Sequence, residues 1–215
     1  MRSRSTRLAA GLLVVLLSAG CTTTSQGEPG PATDQPETTE PTGSSGTDQP
    51  DEGDLPSDGA PAVENPLDTT TFQQDPCLSL TAAQTKELNV PTSGKPYEEV
   101  LGNGCEWRND ETRGKTNVVF LDRDPRGLSA LYKANKAGKW AYFEELSPID
   151  GYPAITRDVV DDRDIGNCTV IVGVSDEIAF ATILQLSEAN VGKKDPCEVG
   201  VQVAGMALQT MKQGG

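Results

Sequence analysis

Five cysteines are the residues of this 215-residue chain best suited to covalent chemistry, and no histidine accompanies them. Without imidazole there is no His-based triad, no zinc–histidine site and no histidine pH switch. Two of the cysteines close the same tripeptide, Asp-Pro-Cys, at Asp75–Cys77 and Asp195–Cys197. Asp can accept from free amides and Pro suits a first helical position, so each Cys falls in the first turn of a helix or helix-like turn. Such a position lowers a thiol pKa, which suits redox or metal chemistry. No C-x-x-C is present, however, and structural disulfides are the expectation for Cys77, Cys105, Cys168 and Cys197. Four thiols allow three pairings. Cys77–Cys105 with Cys168–Cys197 is favoured, because each bridge then joins an adjacent strand to a helix start. Closed loops of roughly 28 residues would each contribute about 3–4 kcal/mol in the chain-entropy model. The sequences around the two tripeptides do not otherwise repeat, so no duplication is read.

The fifth, Cys21, ends the stretch "RLAAGLLVVLLSAGC". Arg2, Arg4 and Arg7 precede an apolar run too short for a bilayer, which needs about 20 residues. A basic start, a short apolar core and a small-residue exit make a secretory signal, residues 1–20. Ser18, Ala19 and Gly20 directly before a Cys match the bacterial lipoprotein signal, with Ser18 where Leu is usual. Cys21 is therefore the expected lipidation residue. A diacylglyceryl group supplies the two chains that stable anchoring takes. The expected address is the outer, extracytoplasmic face of the cell membrane, an oxidising compartment that suits disulfides.

Other constellations fail on their spacing. Asp158, Asp161, Asp162 and Asp164 crowd "DVVDDRDIGN", but the calcium-loop pattern with its Gly and final Glu is absent. "SGK" at residues 93–95 lacks the first Gly of a phosphate loop and has Pro96 where Ser or Thr belongs. "GLSAL" is not a nucleophile elbow. Ser129 and Lys133 could form a dyad only as neighbours on a helix surface. Glu144 and Glu145 point to opposite faces of a strand, which separates a would-be acid/base pair. Asn167–Thr169 matches a glycosylation sequon that carries little meaning behind a bacterial signal. No enzyme, metal or cofactor is expected.

Charge narrows the partners. The net charge is −14, and removal of residues 1–20 takes three Arg and no acid, giving −17. That excludes nucleic acid, whose phosphates need Lys and Arg, and disfavours docking on anionic lipid. Residues 22–66 are mostly Pro, Gly, Ser, Thr, Asp and Glu, with Leu55 and Val63 the only sizeable apolar side chains. Such a segment buries too little surface to offset its ordering entropy. Residues 21–70 thus read as a lipidated Cys and a disordered acidic tether, suited to O-linked sugar.

The elements that must position the cysteines lie in residues 71–215. Thr81 and Gln84 form a capping box before a short helix to Leu88. "CEWRN" (105–109) and "TNVVFLD" (116–122) read as strands, and "GLSALYKANKAG" (127–138) as a helix. Residues 140–146 and 152–160 flank "SPIDG" as a hairpin, and 168–174 and 177–186 form a second around Ser175 and Asp176. In the last helix Asp195 caps, Pro196 leads and Glu198 completes a box. Val199, Val203, Met206, Ala207 and Met211 repeat on one face. The expected fold is α+β, an antiparallel sheet with helices from both ends of the domain packed on it and two disulfides. Cys105 and Trp107 alternate onto one strand face, where the Trp packs on the disulfide or, less simply, stacks a ligand.

Taken in order, "SAGC", the Pro/Thr/acidic tether, "DPCLSLTAAQ", "GCEW", "ELSPIDGYPA", "CTVIVGVS" and "DPCEVGVQVAGMAL" resemble an uncharacterised family of actinobacterial lipoproteins, with mycobacterial Lpr-type members and a domain of unknown function. The resemblance covers about residues 72–212. It implies a surface lipoprotein with four cysteines in two disulfides, and it supplies no catalytic residues. Two functions are carried forward. One is a non-enzymatic binding or accessory module of the envelope, partnered by an envelope protein or a small ligand. The other is a carrier of a lipid or apolar small molecule in a pocket between sheet and helices. Val170, Val172, Phe180, Ile183, Met206 and Met211 are its candidate lining, and the same residues serve equally as plain core.

Overall fold

The structure, a computed structural model, describes residues 54–214. The expected signal and the expected lipidation residue Cys21 lie outside the described residues. No helix among the described residues is long and apolar enough to cross a membrane.

The β-branched stretches pair into one seven-stranded antiparallel sheet. Its strands are β1 (Lys95–Glu99), β2 (Gly102–Arg108), β3 (Lys115–Leu121), β4 (Tyr142–Ile149), β5 (Tyr152–Asp158), β6 (Asn167–Gly173) and β7 (Ala179–Gln185). Their order across the sheet is β1-β2-β3-β7-β6-β5-β4. The most apolar strands, β3, β6 and β7, lie at or beside the centre, where both faces are covered. Pro96 lies on the edge strand β1 and Pro148 at a register shift in the edge strand β4. Proline at a sheet edge withholds an amide from any further strand.

The helices are α1 (Thr70–Gln74), α2 (Ala82–Glu87), α3 (Gly127–Lys136) and α4 (Pro196–Lys212), with a 3-10 turn at Pro76–Ser79. α4 buries Val203, Ala204, Ala207, Leu208 and Met211 against Val118, Phe120, Val170, Val172 and Phe180. α3 places Leu128 and Tyr132 on the other face, over Val119, Ile155, Ile171 and Ala181. α1, the 3-10 turn and α2 join the α4 side. There Gln84 Nε2 donates to the Met206 carbonyl (2.9 Å) and Thr210 Oγ1 to Gln84 Oε1 (3.0 Å). The fold is α+β, with helices from both ends of the domain on the sheet.

Local expectations hold at several points. The Thr81/Gln84 capping box is complete. Asp195 caps α4 by accepting from the amides of Cys197 and Glu198; Glu198 gives its backbone N–H and not its carboxylate. The hairpin between β4 and β5 differs from the expected one. "SPI" continues β4 through the register shift, and the turn is Asp150–Gly151 alone. Both residues have positive φ (53° and 89°), which is the two-residue turn that Asp-Gly favours.

The packed chain also starts earlier than Thr71. Residues 54–69 cross from the α3 face to the α4 face over the β6–β7 turn. Ser57 N donates to Ser129 Oγ (2.9 Å), Val63 N to Asp176 Oδ1 (2.9 Å) and Leu67 N to the Val174 carbonyl (2.8 Å). Ala60 is buried with the α3-side core and Val63 with the α4-side core, where Leu67 packs beside it. Three apolar side chains suffice because each fills a gap at the sheet's end and the backbone between them is hydrogen-bonded.

Three of the four tyrosines have phenols held above their ordinary range, with burial as the first cause at each. At Tyr132 the hydrogen bond to Glu145 Oε1 (2.9 Å) adds to burial. A folded pKa raised above the unfolded one gives stability that is present below the unfolded pKa, about 10, and lost as pH rises through the folded value. The expected result is that phenolate absorbance from Tyr97, Tyr132 and Tyr142 lags a denatured control, and that urea resistance falls above about pH 10. Coincident folded and denatured titration curves would contradict this.

Candidate functional site

The two disulfides are Cys77–Cys105 and Cys168–Cys197, with Cα atoms 5.0 Å and 5.2 Å apart. Each Asp-Pro-Cys opens a helical turn as expected: Asp75 Oδ1 accepts from Cys77 N (3.1 Å) and Asp195 Oδ1 from Cys197 N (2.7 Å). All four thiols are thereby consumed. Thr156 Oγ1 lies 3.2 Å from Cys168 Sγ but donates its proton to the Thr169 carbonyl (2.9 Å).

The remaining constellations disperse. Ser129 is buried and accepts from the Ser57 amide, while Lys133 is exposed. Glu144 takes Arg163 Nη1 (2.8 Å) and Glu145 takes Tyr132, on opposite faces of the sheet. Asp161 pairs with Arg163, and Asp158 accepts from Thr169 Oγ1 (3.0 Å). Among the described residues no group of three His, Cys, Asp or Glu is placed to hold a metal. Trp107 is in the core, 1% exposed, beside the first disulfide.

The residues named for a carrier pocket divide. Val170, Val172 and Phe180 are packed core under α4, and Met211 is buried on the inner face of α4 itself. Ile183 lies on the opposite face, since it stands an odd number of residues from Phe180 on one strand. Only Met206 borders a cavity.

That cavity, about 320 Å³, lies where α2, the starts of β3 and α4 and the end of β7 meet. Its floor is hydrocarbon from Leu184, Leu186, Met206 and Val199, with Leu88 and Val90 at its side. Its rim carries Glu87, Lys194 and Gln202. Thr116 is a wall residue, 1% exposed, and its hydroxyl has no hydrogen-bond partner. These residues come from four separated segments of the chain. The one sequence signal is the apolar periodicity of α4, which includes Val199 and Met206.

A buried hydroxyl without a partner costs stability, on the order of 1–3 kcal/mol. Thr116→Val keeps the shape and removes the hydroxyl, so it is expected to raise unfolding stability by about 1 kcal/mol. Urea unfolding checks this, and a loss of stability would mean that the hydroxyl has a partner in solution.

A protein-family model described as "Protein of unknown function (DUF3558)" matches residues 16–210. No curated protein and no solved structure matches the chain.

Proposed function

Because the chain belongs to the DUF3558 family, whose function is unknown, we propose its role from its own residues: it is a non-enzymatic binding module of the cell envelope. In this reading Cys21 carries a diacylglyceryl anchor, residues 1–20 are removed, and the domain stands on the outer face of the cell membrane. The organism is an actinobacterium and the relatives are Lpr-type lipoproteins. The observation that carries the binding role is the cavity between α4 and the sheet, hydrocarbon at its floor and polar at its mouth. Its volume of about 320 Å³ stands at the lower end of the range for small-molecule sites, which begins at about 300 Å³, and its lining is more polar than that of most such sites.

The alternative, a carrier of an apolar cargo, is supported by the Leu184, Leu186 and Met206 floor. A polar rim suits an amphipathic occupant better, because an all-hydrocarbon cargo leaves rim groups desolvated without partners.

Native mass spectrometry of the full chain, secreted with Cys21→Ser to keep it out of lipid, tests the module. The expected result is a mass excess that disappears on denaturation and is absent from Met206→Trp, which narrows the cavity at its floor. A bare mass in the unsubstituted pocket overturns the small-ligand seat. The anchor is tested separately. The natural chain is expected in the membrane fraction of an actinobacterial host, and Cys21→Ala in the medium. Equal distribution of the two overturns it.

A further inference from the structure

We infer that the cavity takes a short zwitterionic peptide with an apolar side chain, an assignment that rests on the pocket reading above. Glu87, at the end of α2, and Lys194, just before α4, both line the cavity. Among the described residues neither side chain has an opposite charge within 4.0 Å, so they do not meet each other. Lys115, beside Thr116 on β3, turns its side chain to the α3 face by strand alternation, where it meets Glu106 at 3.8 Å. The walls are thus left with one unspent charge of each sign, on separate segments of the chain that border the same cavity.

A ligand with an ammonium at one end and a carboxylate at the other complements both. A simple carboxylate meets Lys194 but faces Glu87, and a simple amine has the opposite conflict; each mismatch counts against the wrong class. The uncharged amides of Asn89 and Gln202 on the same walls offer donors and acceptors suited to peptide groups. The Leu184, Leu186 and Met206 floor offers hydrocarbon to a side chain. At ~30 Å³ of liquid volume per water, the cavity displaces roughly ten waters, room for more than a single methyl or hydroxyl contact.

The test is isothermal titration of the full chain, secreted with Cys21→Ser, with leucyl-leucine, its N-acetyl form and its C-terminal amide. The free dipeptide is expected to bind. Blocking either end is expected to weaken binding about fivefold, the upper range for an exposed ion pair. Glu87→Gln is expected to erase the penalty of acetylation alone, and Lys194→Gln that of amidation alone; both residues are exposed, so both variants keep the fold. Equal binding of the three forms overturns the zwitterion, as do penalties that persist in the variants; loss of binding in Met206→Trp would still uphold the pocket. No binding of any form at millimolar concentration also overturns the zwitterion, and the mass measurement then decides the pocket by itself.

Discussion

Trp107→Ala is expected to cost about 3–5 kcal/mol of unfolding stability, the range for deleting a buried aromatic ring. Trp107 is 1% exposed on β2, on the face that also carries the fully buried Cys105. Gly94 closes over both. A Cβ added there would stand 2.2 Å from Cys105 Sγ and 2.8 Å from Trp107 Cε2, so backbone is already in contact with the ring and the bridge. Surroundings tied by a disulfide and a strand pair have little freedom to collapse into the space, which puts the cost at the upper part of the range. The indole N–H has no hydrogen-bond partner, so Trp107→Phe forfeits part of the packing and no hydrogen bond. It is expected to cost well under half as much. Urea unfolding of the two variants checks the pair. A stable Trp107→Ala would return the residue to the ligand-stacking role.

Removing the second bridge by Cys168→Ser with Cys197→Ser is expected to cost about 3–4 kcal/mol, from the loop-closure entropy of a 29-residue separation. The bridge ties the start of α4 to β6, and α4 covers the central strands over most of its length. Without it, α4 keeps its Asp195 cap and its buried face, but the unfolded chain gains the freedom that the bridge withheld. Reduction of the natural protein before unfolding opens both bridges and is expected to cost more than this double substitution, the difference being the share of Cys77–Cys105. Equal urea midpoints for bridged and unbridged chains would mean that α4 packing alone sets the stability.

Features fixed by residue type and close spacing are legible in the chain itself. Asp195 with Pro196, and Thr81 with Gln84, specify helix starts through bonds made within four residues. The alternation in "TNVVFLD" and "CTVIVGV" specifies buried strands. The disulfide pairing is legible for the same reason, since each Cys in a helix start has a strand Cys nearest in the chain.

What is not legible depends on partners distant in sequence. β1, "KPYEE", has no strand pattern of its own, because an exposed edge strand buries little. It exists through its pairing with β2. Residues 54–69 have the composition of a tether, and only the gaps at the end of the sheet give Ala60 and Val63 somewhere to go. Apolar character alone groups Ile183 with Phe180 as lining, although strand parity sends the two to opposite faces.

By itself the sequence determined the exclusion of histidine chemistry, the structural use of four cysteines and the α+β composition of elements, because each follows from residue type and near-neighbour spacing. Only the tertiary structure decided where a ligand could sit. Glu87, Thr116, Leu184 and Lys194 share no local pattern. They become one site because strand order, and the placement of α2 against α4, bring their walls together around an unfilled volume.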